Sequence, residues 1–310
     1  MIRKNAYRRI ILASLSLIVV AITCFYPKNN WNNNINTKYL DAIKMPIYIL
    51  DENNYVSRIN IIKSSENIEE NISYIINTLT EGSKESSYLI NSFNPIIPEG
   101  TILLNYELKD KILKLNFNEN FTNVSENKER KLIESLIYSL CEFNEIENIM
   151  IFINDKRLEF LPNSKEKLPI LLNKNYGINV VYDLDNVKNC ISTTSYYLAK
   201  SKDATYHVPI TKIENSNKEK IEVIIENLQT SPANQTSLIS YLKASASMDY
   251  YKILEESVFL SFNNELFADL NNEEVLEEVR YSIYLSIRDT YDVSQVIFES
   301  STDINVAIFN

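Results

Sequence analysis

Residues 111–121, Lys-Ile-Leu-Lys-Leu-Asn-Phe-Asn-Glu-Asn-Phe, decide how the rest of this sequence is interpreted. From Leu113 onward apolar and polar side chains alternate, which is the period of a strand with one buried face. Residues 257–263, Ser-Val-Phe-Leu-Ser-Phe-Asn, place apolar side chains at the same positions and end on the same Phe-Asn pair. Each strand continues through a polar stretch that contains an aromatic residue, Phe121 or Phe267. The pattern indicates an internal repeat.

Both strands lead into an amphipathic helix and then into another β-rich run. The apolar stripe of the helix consists of Leu132, Ile133, Leu136, Ile137, Leu140 and Phe143 in the first copy, and of Leu276, Val279, Ile283 and Ile287 in the second. The β-rich runs are residues 149–153 and 296–298. An offset of about 145–147 residues superposes these parts of the two copies.

The first halves of the copies correspond more loosely. Each opens with a strand (residues 46–50 and 195–199), a short second run and an amphipathic helix. The order predicts the α+β class, with two tandem βαββαβ domains, each a two-layer sandwich with both helices on one face of a mixed sheet. We expect the first domain over residues 45–162, a connector over 163–191, and a divergent second domain over 192–310.

The first 27 residues have the composition of a signal segment or membrane anchor. Four cations, Arg3, Lys4, Arg8 and Arg9, precede an almost uninterrupted apolar run from Ile10 to Tyr26. That run spans roughly 25 Å as a helix, slightly less than the ~30 Å core of a bilayer. Because positive charge stays on the cytoplasmic side, we expect the rest of the chain on the extracytoplasmic face of the cell membrane. Residues 28–44 are predicted to be a polar linker.

Cys24 leaves the kind of anchor open. It stands at the end of the apolar run, where the lipidated cysteine of a bacterial lipoprotein would lie, but the preceding Thr23 fits that site poorly. The alternatives are an uncleaved N-terminal helix and cleavage to a soluble form.

Composition excludes most enzyme classes that have a recognisable signature. The 310 residues include 3 Gly, too scattered for a dinucleotide fingerprint or a phosphate loop, and 1 His, which excludes HExxH chemistry. The 3 Cys include no CxxC pair. The net charge of −10 gives no reason to expect nucleic-acid binding. We expect no cofactor and no metal.

Residues 94–121 carry a family resemblance. The run Pro-Ile-Ile-Pro-Glu-Gly-Thr at residues 95–101, its spacing to the next strand, and the helix and strand that follow resemble the GerMN domain of the GerM family, the sporulation and spore germination module. The likeness covers residues 46–160 well. It is weaker over 192–310, where residues 237–247 replace the Pro-Glu-Gly-Thr turn.

The resemblance implies an extracytoplasmic fold of the ring-building type. It also implies a non-enzymatic role in assembling or holding an envelope complex of the SpoIIIA–SpoIIQ type, between mother cell and forespore. The family offers no catalytic residue to carry over. The resemblance leaves open the direct partner and the oligomeric state, and the missing turn leaves open whether both copies bind in the same way.

Two further functions stay open on the residues themselves. Tyr281 and Tyr284 share a helical face with Arg288, and tyrosine with arginine is typical of protein interfaces, so we predict an interface there. The chain has 20 Tyr, and exposed tyrosines that stack on sugars would instead indicate a cell-wall or glycan-binding protein. A hydrolase with paired carboxylates is the weakest alternative, because no acidic pair has a reason for a raised pKa.

His207 is expected on the surface or in a hydrogen bond.

Overall fold

The computed structural model describes residues 44–62, 65–230, 237–263, 273–291, 293–299 and 304–307. The predicted leader, nearly all of the predicted linker, and Cys24 lie outside these residues. No helix within the described ranges is both long and apolar enough to cross a membrane.

The repeat is present as two series of elements with the same order. The first copy consists of β1 (Lys44–Asp51), β2 (Val56–Ile62), α1 (Ile68–Leu79), β3 (Phe93–Asn94), β4 (Leu103–Lys109), β5 (Ile112–Phe117), α2 (Glu126–Leu140), β6 (Asn148–Ile153) and β7 (Lys156–Arg157). The connector contributes β8 (Val181–Asp183). The second copy consists of β9 (Cys190–Lys200), β10 (Thr205–Asn215), α3 (Lys220–Gln229), β11 (Leu238–Ile239), β12 (Met248–Leu254), β13 (Ser257–Phe262), α4 (Glu273–Tyr291), β14 (Gln295–Glu299) and β15 (Ile304–Ala307).

The strands within the described ranges form three sheets, one of which belongs to both copies. A seven-stranded sheet has the order β11-β9-β10-β2-β1-β3, with β8 beside β10. Its two halves join where His207 of β10 lies opposite Arg58 of β2. Each copy also has a four-stranded sheet of its own, β4-β5-β6-β7 and β12-β13-β14-β15. The α+β class is confirmed, but the expectation of one mixed sheet per copy is wrong, because the strands of each copy divide between two sheets.

The second helix of each copy explains why the strands divide between two sheets. All nine residues from Leu132 to Leu140 of α2 are buried, so this helix has no solvated face along that stretch. Its small polar residues cover the open edge of β1: the Tyr48 N–H donates to Ser139 Oγ at 2.8 Å, and Ser135 Oγ donates to the Tyr48 carbonyl. The serine side chains thus make the hydrogen bonds that a neighbouring strand would otherwise make. The edge is buried, and an unpaired backbone N–H or C=O group there would cost folding free energy.

The second copy uses the same device. The Tyr196 N–H of β9 donates to Ser286 Oγ of α4 at 2.9 Å, and that hydroxyl donates to the Ser282 carbonyl at 2.7 Å. The helical periodicity of a sequence reports only where apolar side chains recur. It therefore did not predict that buried serines of α2 and α4 would hydrogen-bond to the edges of strands.

In both copies an asparagine side chain hydrogen-bonds to the backbone of the segment at the start of the first strand of the small sheet. Asn118, after β5, accepts from the Ile102 N–H at 3.0 Å and donates to the Gly100 carbonyl at 3.0 Å. Asn263, after β13, accepts from the Ser247 N–H at 3.1 Å and donates to the Ser245 carbonyl at 3.0 Å. The second copy lacks the Pro-Glu-Gly-Thr sequence but keeps the asparagine that binds this segment.

We expect the edge-covering serines to matter for stability. Replacing Ser139 or Ser286 by Ala removes the acceptor of a buried backbone N–H, which should lower the free energy of unfolding by about 1–3 kcal/mol. Urea unfolding of the purified protein measures this. Ser87→Ala, at an exposed serine, is the control and should change stability by less than about 0.5 kcal/mol. Equal effects of the three substitutions would contradict the assignment.

Candidate functional site

Two tyrosines from the two copies meet over the middle of the shared sheet. Tyr48 of β1 and Tyr196 of β9 are 148 positions apart in the chain, and their hydroxyl oxygens are 2.8 Å apart. Strands β10 and β2 separate β9 from β1 in the sheet, so the two side chains lean toward each other across those strands. Both side chains are fully buried. Equivalent positions of the repeat therefore form one contact.

A carboxylate from the end of each long helix completes this contact. Tyr48 Oη lies 3.1 Å from Glu142 Oε1, just after α2, and Tyr196 donates to Asp289 Oδ2 in the last turn of α4. Each neutral tyrosine hydroxyl can donate one proton, so two protons are available for the three close oxygen–oxygen contacts. The proton of Tyr196 goes to Asp289, so the proton of Tyr48 is shared between Glu142 and the oxygen of Tyr196.

Two cations balance the two carboxylates. Lys174 of the connector lies 2.8 Å from Glu142 Oε1 and 2.8 Å from Asp289 Oδ1, so that one ammonium bridges the copies. Arg288 of α4 donates to both oxygens of Glu142 at 2.8 Å. The carboxylate side chains are only 7% and 3% exposed. We call Tyr48, Glu142, Lys174, Tyr196, Arg288 and Asp289 the interdomain cluster.

The electrostatics keep every member of the interdomain cluster in one protonation state. Burial alone would raise the pKa of Glu142, but Lys174 and Arg288 outweigh it and hold that pKa well below its ordinary value; the same balance lowers the pKa of Asp289. Burial would lower the pKa of Lys174, but the two carboxylates raise it. Burial, and then the carboxylates, raise the pKa of both tyrosines.

The cluster therefore has no member that titrates near neutral pH, as a general acid or base would. Buried charges that are paired and hydrogen-bonded on both sides instead fix one geometry, and removing one partner is costly. Within the described ranges, no group of His, Cys, Asp and Glu side chains could hold a metal ion. The arrangement is that of a joint between the copies.

The sheet junction beside the cluster holds the single histidine. Arg58 Nη1 donates to the Tyr281 hydroxyl at 2.9 Å, and the rings of His207 and Tyr281 meet edge-on at 5.1 Å. Burial, with a smaller effect of the Arg58 charge, lowers the pKa of His207 to about 3. His207 Nε2 is buried without a hydrogen-bond partner in the described part of the chain, so the expectation of a surface or hydrogen-bonded histidine is not met at that atom.

The residues predicted to form an interface lie where the two copies meet. Arg288 belongs to the interdomain cluster, and Tyr281 binds Arg58 of the first copy. Tyr284 is 6% exposed, its ring 6.1 Å from that of Tyr281. Arg288 and Tyr281 thus contact the first copy of the same chain, and Tyr284 is buried beside them. Their role toward another protein stays a prediction.

Sequence reasoning missed the other members of the cluster. Tyr48 and Tyr196 stand at matching places in the opening strands of the two copies, and Glu142 and Asp289 at matching places near the helix ends. The repeat offset could have paired them. Nothing in the sequence indicated that Lys174, in the connector, would lie between the two carboxylates.

Comparisons with known proteins agree on one kind of relative. Residues 46–159 match the family model Germane, described as sporulation and spore germination. The spore germination protein GerM of Bacillus subtilis (strain 168) is 28% identical over 264 residues, which cover 82% of this chain and 70% of that protein. The solved structure of the tandem GerMN domains of the sporulation protein GerM from Bacillus subtilis matches with a TM-score of 0.75 at 25% identity, covering 84% of this chain and 91% of that one.

Lys174→Met tests the bridging ammonium. The substitution keeps the length of the side chain but leaves two buried carboxylates with less positive charge, which should cost about 3–5 kcal/mol of unfolding free energy. Lys114→Met is the control, because the Lys114–Glu107 pair is 45% and 57% exposed and solvent screens such a pair almost completely. Urea unfolding at neutral pH measures both. A loss for Lys174→Met as small as the control's would show that the ammonium does not stabilise the joint.

His207 should make stability depend on pH. Its folded pKa of about 3 lies below the unfolded value of about 6.5, so between these values only the unfolded chain binds the proton. Unfolding free energy should therefore fall as pH falls from 7.5 to 5, by about 2 kcal/mol relative to His207→Gln. The raised pKa of Glu134, about 7, acts in both proteins and cancels from the difference. A difference that is constant with pH would mean that His207 titrates normally in the fold.

Proposed function

This chain belongs to the GerM family of sporulation and spore germination proteins, and from that premise we propose that it is a non-enzymatic assembly factor. It acts on the extracytoplasmic face of the cell membrane and helps to assemble or hold an envelope complex between mother cell and forespore. The partners we propose are envelope proteins of a SpoIIIA–SpoIIQ-type complex. An N-terminal helix or a lipid at Cys24 attaches it to the membrane.

The interdomain cluster is the observation that carries this proposal. Its six polar side chains bind one another across the two copies, and its ionisable groups keep one charge state around neutral pH. A site that is closed in this way is suited to setting the relative position of two binding domains rather than to converting a substrate.

The glycan-binding alternative depends on exposed tyrosines. Tyr196, Tyr197 and Tyr284 of the second copy are buried. Tyr88, Tyr182 and Tyr250 are 70%, 67% and 52% exposed, but they lie on three separate elements: a short turn, β8 and β12. The structure offers less aromatic surface than the tyrosine content suggested, which favours the assembly role.

An affinity pull-down tests the proposed function. The full-length chain, tagged at its C-terminus, is recovered from detergent-solubilised membranes of sporulating and of vegetative cells, with the untagged chain as control. We expect envelope proteins of the mother cell–forespore complex only from sporulating cells. The same envelope partners in growing cells, or saturable sedimentation of the purified chain with peptidoglycan, would contradict the proposal.

A further inference from the structure

The two small sheets end on equivalent strands that differ in chemistry. Among the described strands, β4 and β12 are the terminal strands of their sheets, and each pairs on one side only, with β5 and with β13. A terminal strand presents unpaired N–H and C=O groups, to which another extended segment can add. The repeat thus supplies its own comparison between two edges of the same fold.

The outer face of the first copy's edge carries charged side chains, and Leu104, at the irregularity of β4, is 47% exposed. Residues that lie opposite each other on paired strands point to the same face, so Asn105, Glu107 and Lys109 of β4 share the outer face with Lys114 of β5. Glu107 and Lys114 form an exposed ion pair at 2.9 Å. Charged side chains of this kind discourage the addition of a further strand.

The edge of the second copy carries apolar side chains at the same positions. Tyr250, Lys252 and Leu254 of β12 lie opposite Ser261, Phe259 and Ser257, on the face away from the buried residues of β13. Tyr250 is 52% and Leu254 45% exposed, and Ile253 on the other face of the strand is 41% exposed. Phe259 and Ile297 take the places of Lys114 and Met150. Lys252 is the charged side chain between Tyr250 and Leu254 on this face, and Asp249, at the irregularity before Tyr250, is exposed as well.

We propose that β12 binds an extended segment of a partner protein as an additional strand. The backbone of the edge supplies the hydrogen bonds, and the outer-face side chains select the sequence. The segment has a carboxylate that faces Lys252, flanked by apolar side chains that face Tyr250 and Leu254.

Charge favours another protein over a second copy of this chain as the occupant. The chain carries a net charge of −10, so two copies repel each other. Lys252 with its apolar neighbours instead fits an acidic residue in an apolar strand. The inference rests on the proposed assembly role, since it names the kind of partner that such a protein would bind.

Synthetic peptides test the proposal on the purified full-length chain. The probe is the blocked heptapeptide Thr-Val-Thr-Glu-Thr-Val-Thr, which as a strand presents valine, glutamate and valine on one face; the comparison peptide has lysine in place of glutamate. Backbone NMR should show saturable shifts in β12 and β13, with the glutamate peptide bound about fivefold more tightly. Lys252→Glu should reverse this preference, and Leu254→Lys should weaken binding of the glutamate peptide.

Lys109→Glu in β4 is the matched control, because it changes the charge at the corresponding edge of the first copy, and it should leave both affinities unchanged. Equal affinity for the two peptides, shifts outside β12 and β13, or a dimer of the chain that Leu254→Lys dissociates would overturn the proposal. Urea unfolding verifies that each variant is folded. Failure of this binding test would remove the strand-addition surface, whereas failure of the pull-down would remove the assembly role itself.

Discussion

The contact between the hydroxyls of Tyr48 and Tyr196, with four charges around it, is the interaction on which the arrangement of the two copies depends. It lies over the junction of the shared sheet, where β10 and β2, as far as the structure describes them, are paired through His207 and Arg58. A junction this short contributes few backbone hydrogen bonds, so the side chains above it must fix the geometry. Lys174 adds the connector to the same joint, which makes three parts of the chain interdependent.

The periodicity of the sequence predicted the order and class of the elements, but it did not predict the contacts made by buried small polar residues. Alternation at Leu113, Leu115 and Phe117 and the helical stripes predicted the repeat, its order and the α+β class. Ser135 and Ser139 look like ordinary polar helix positions, yet both are buried and bind a sheet edge. Such contacts join residues about 90 positions apart, and no local pattern reports them.

The candidate site was predictable only in part, for a related reason. Arg288 was selected for its place beside two tyrosines, and it belongs to the cluster. Glu142 and Asp289 were not selected, because an acidic residue at a helix end is ordinarily solvated. These two carboxylates differ from ordinary ones because they are buried and paired with cations. Their burial follows from the way the two copies pack together. The copies then diverge on their outer surfaces, where Asn105 and Lys109 of β4 are matched by Tyr250 and Leu254 of β12.

The joint makes the two copies one cooperative unit. Native-state hydrogen exchange of amides in β1 and β9 tests it most directly, because exchange reports the free energy of the opening that exposes each amide. If the joint holds, protected amides in the two strands exchange with the same opening free energy, and Lys174→Met lowers both together. A second copy that opens at a distinctly lower free energy, with β1 still protected, would contradict the account.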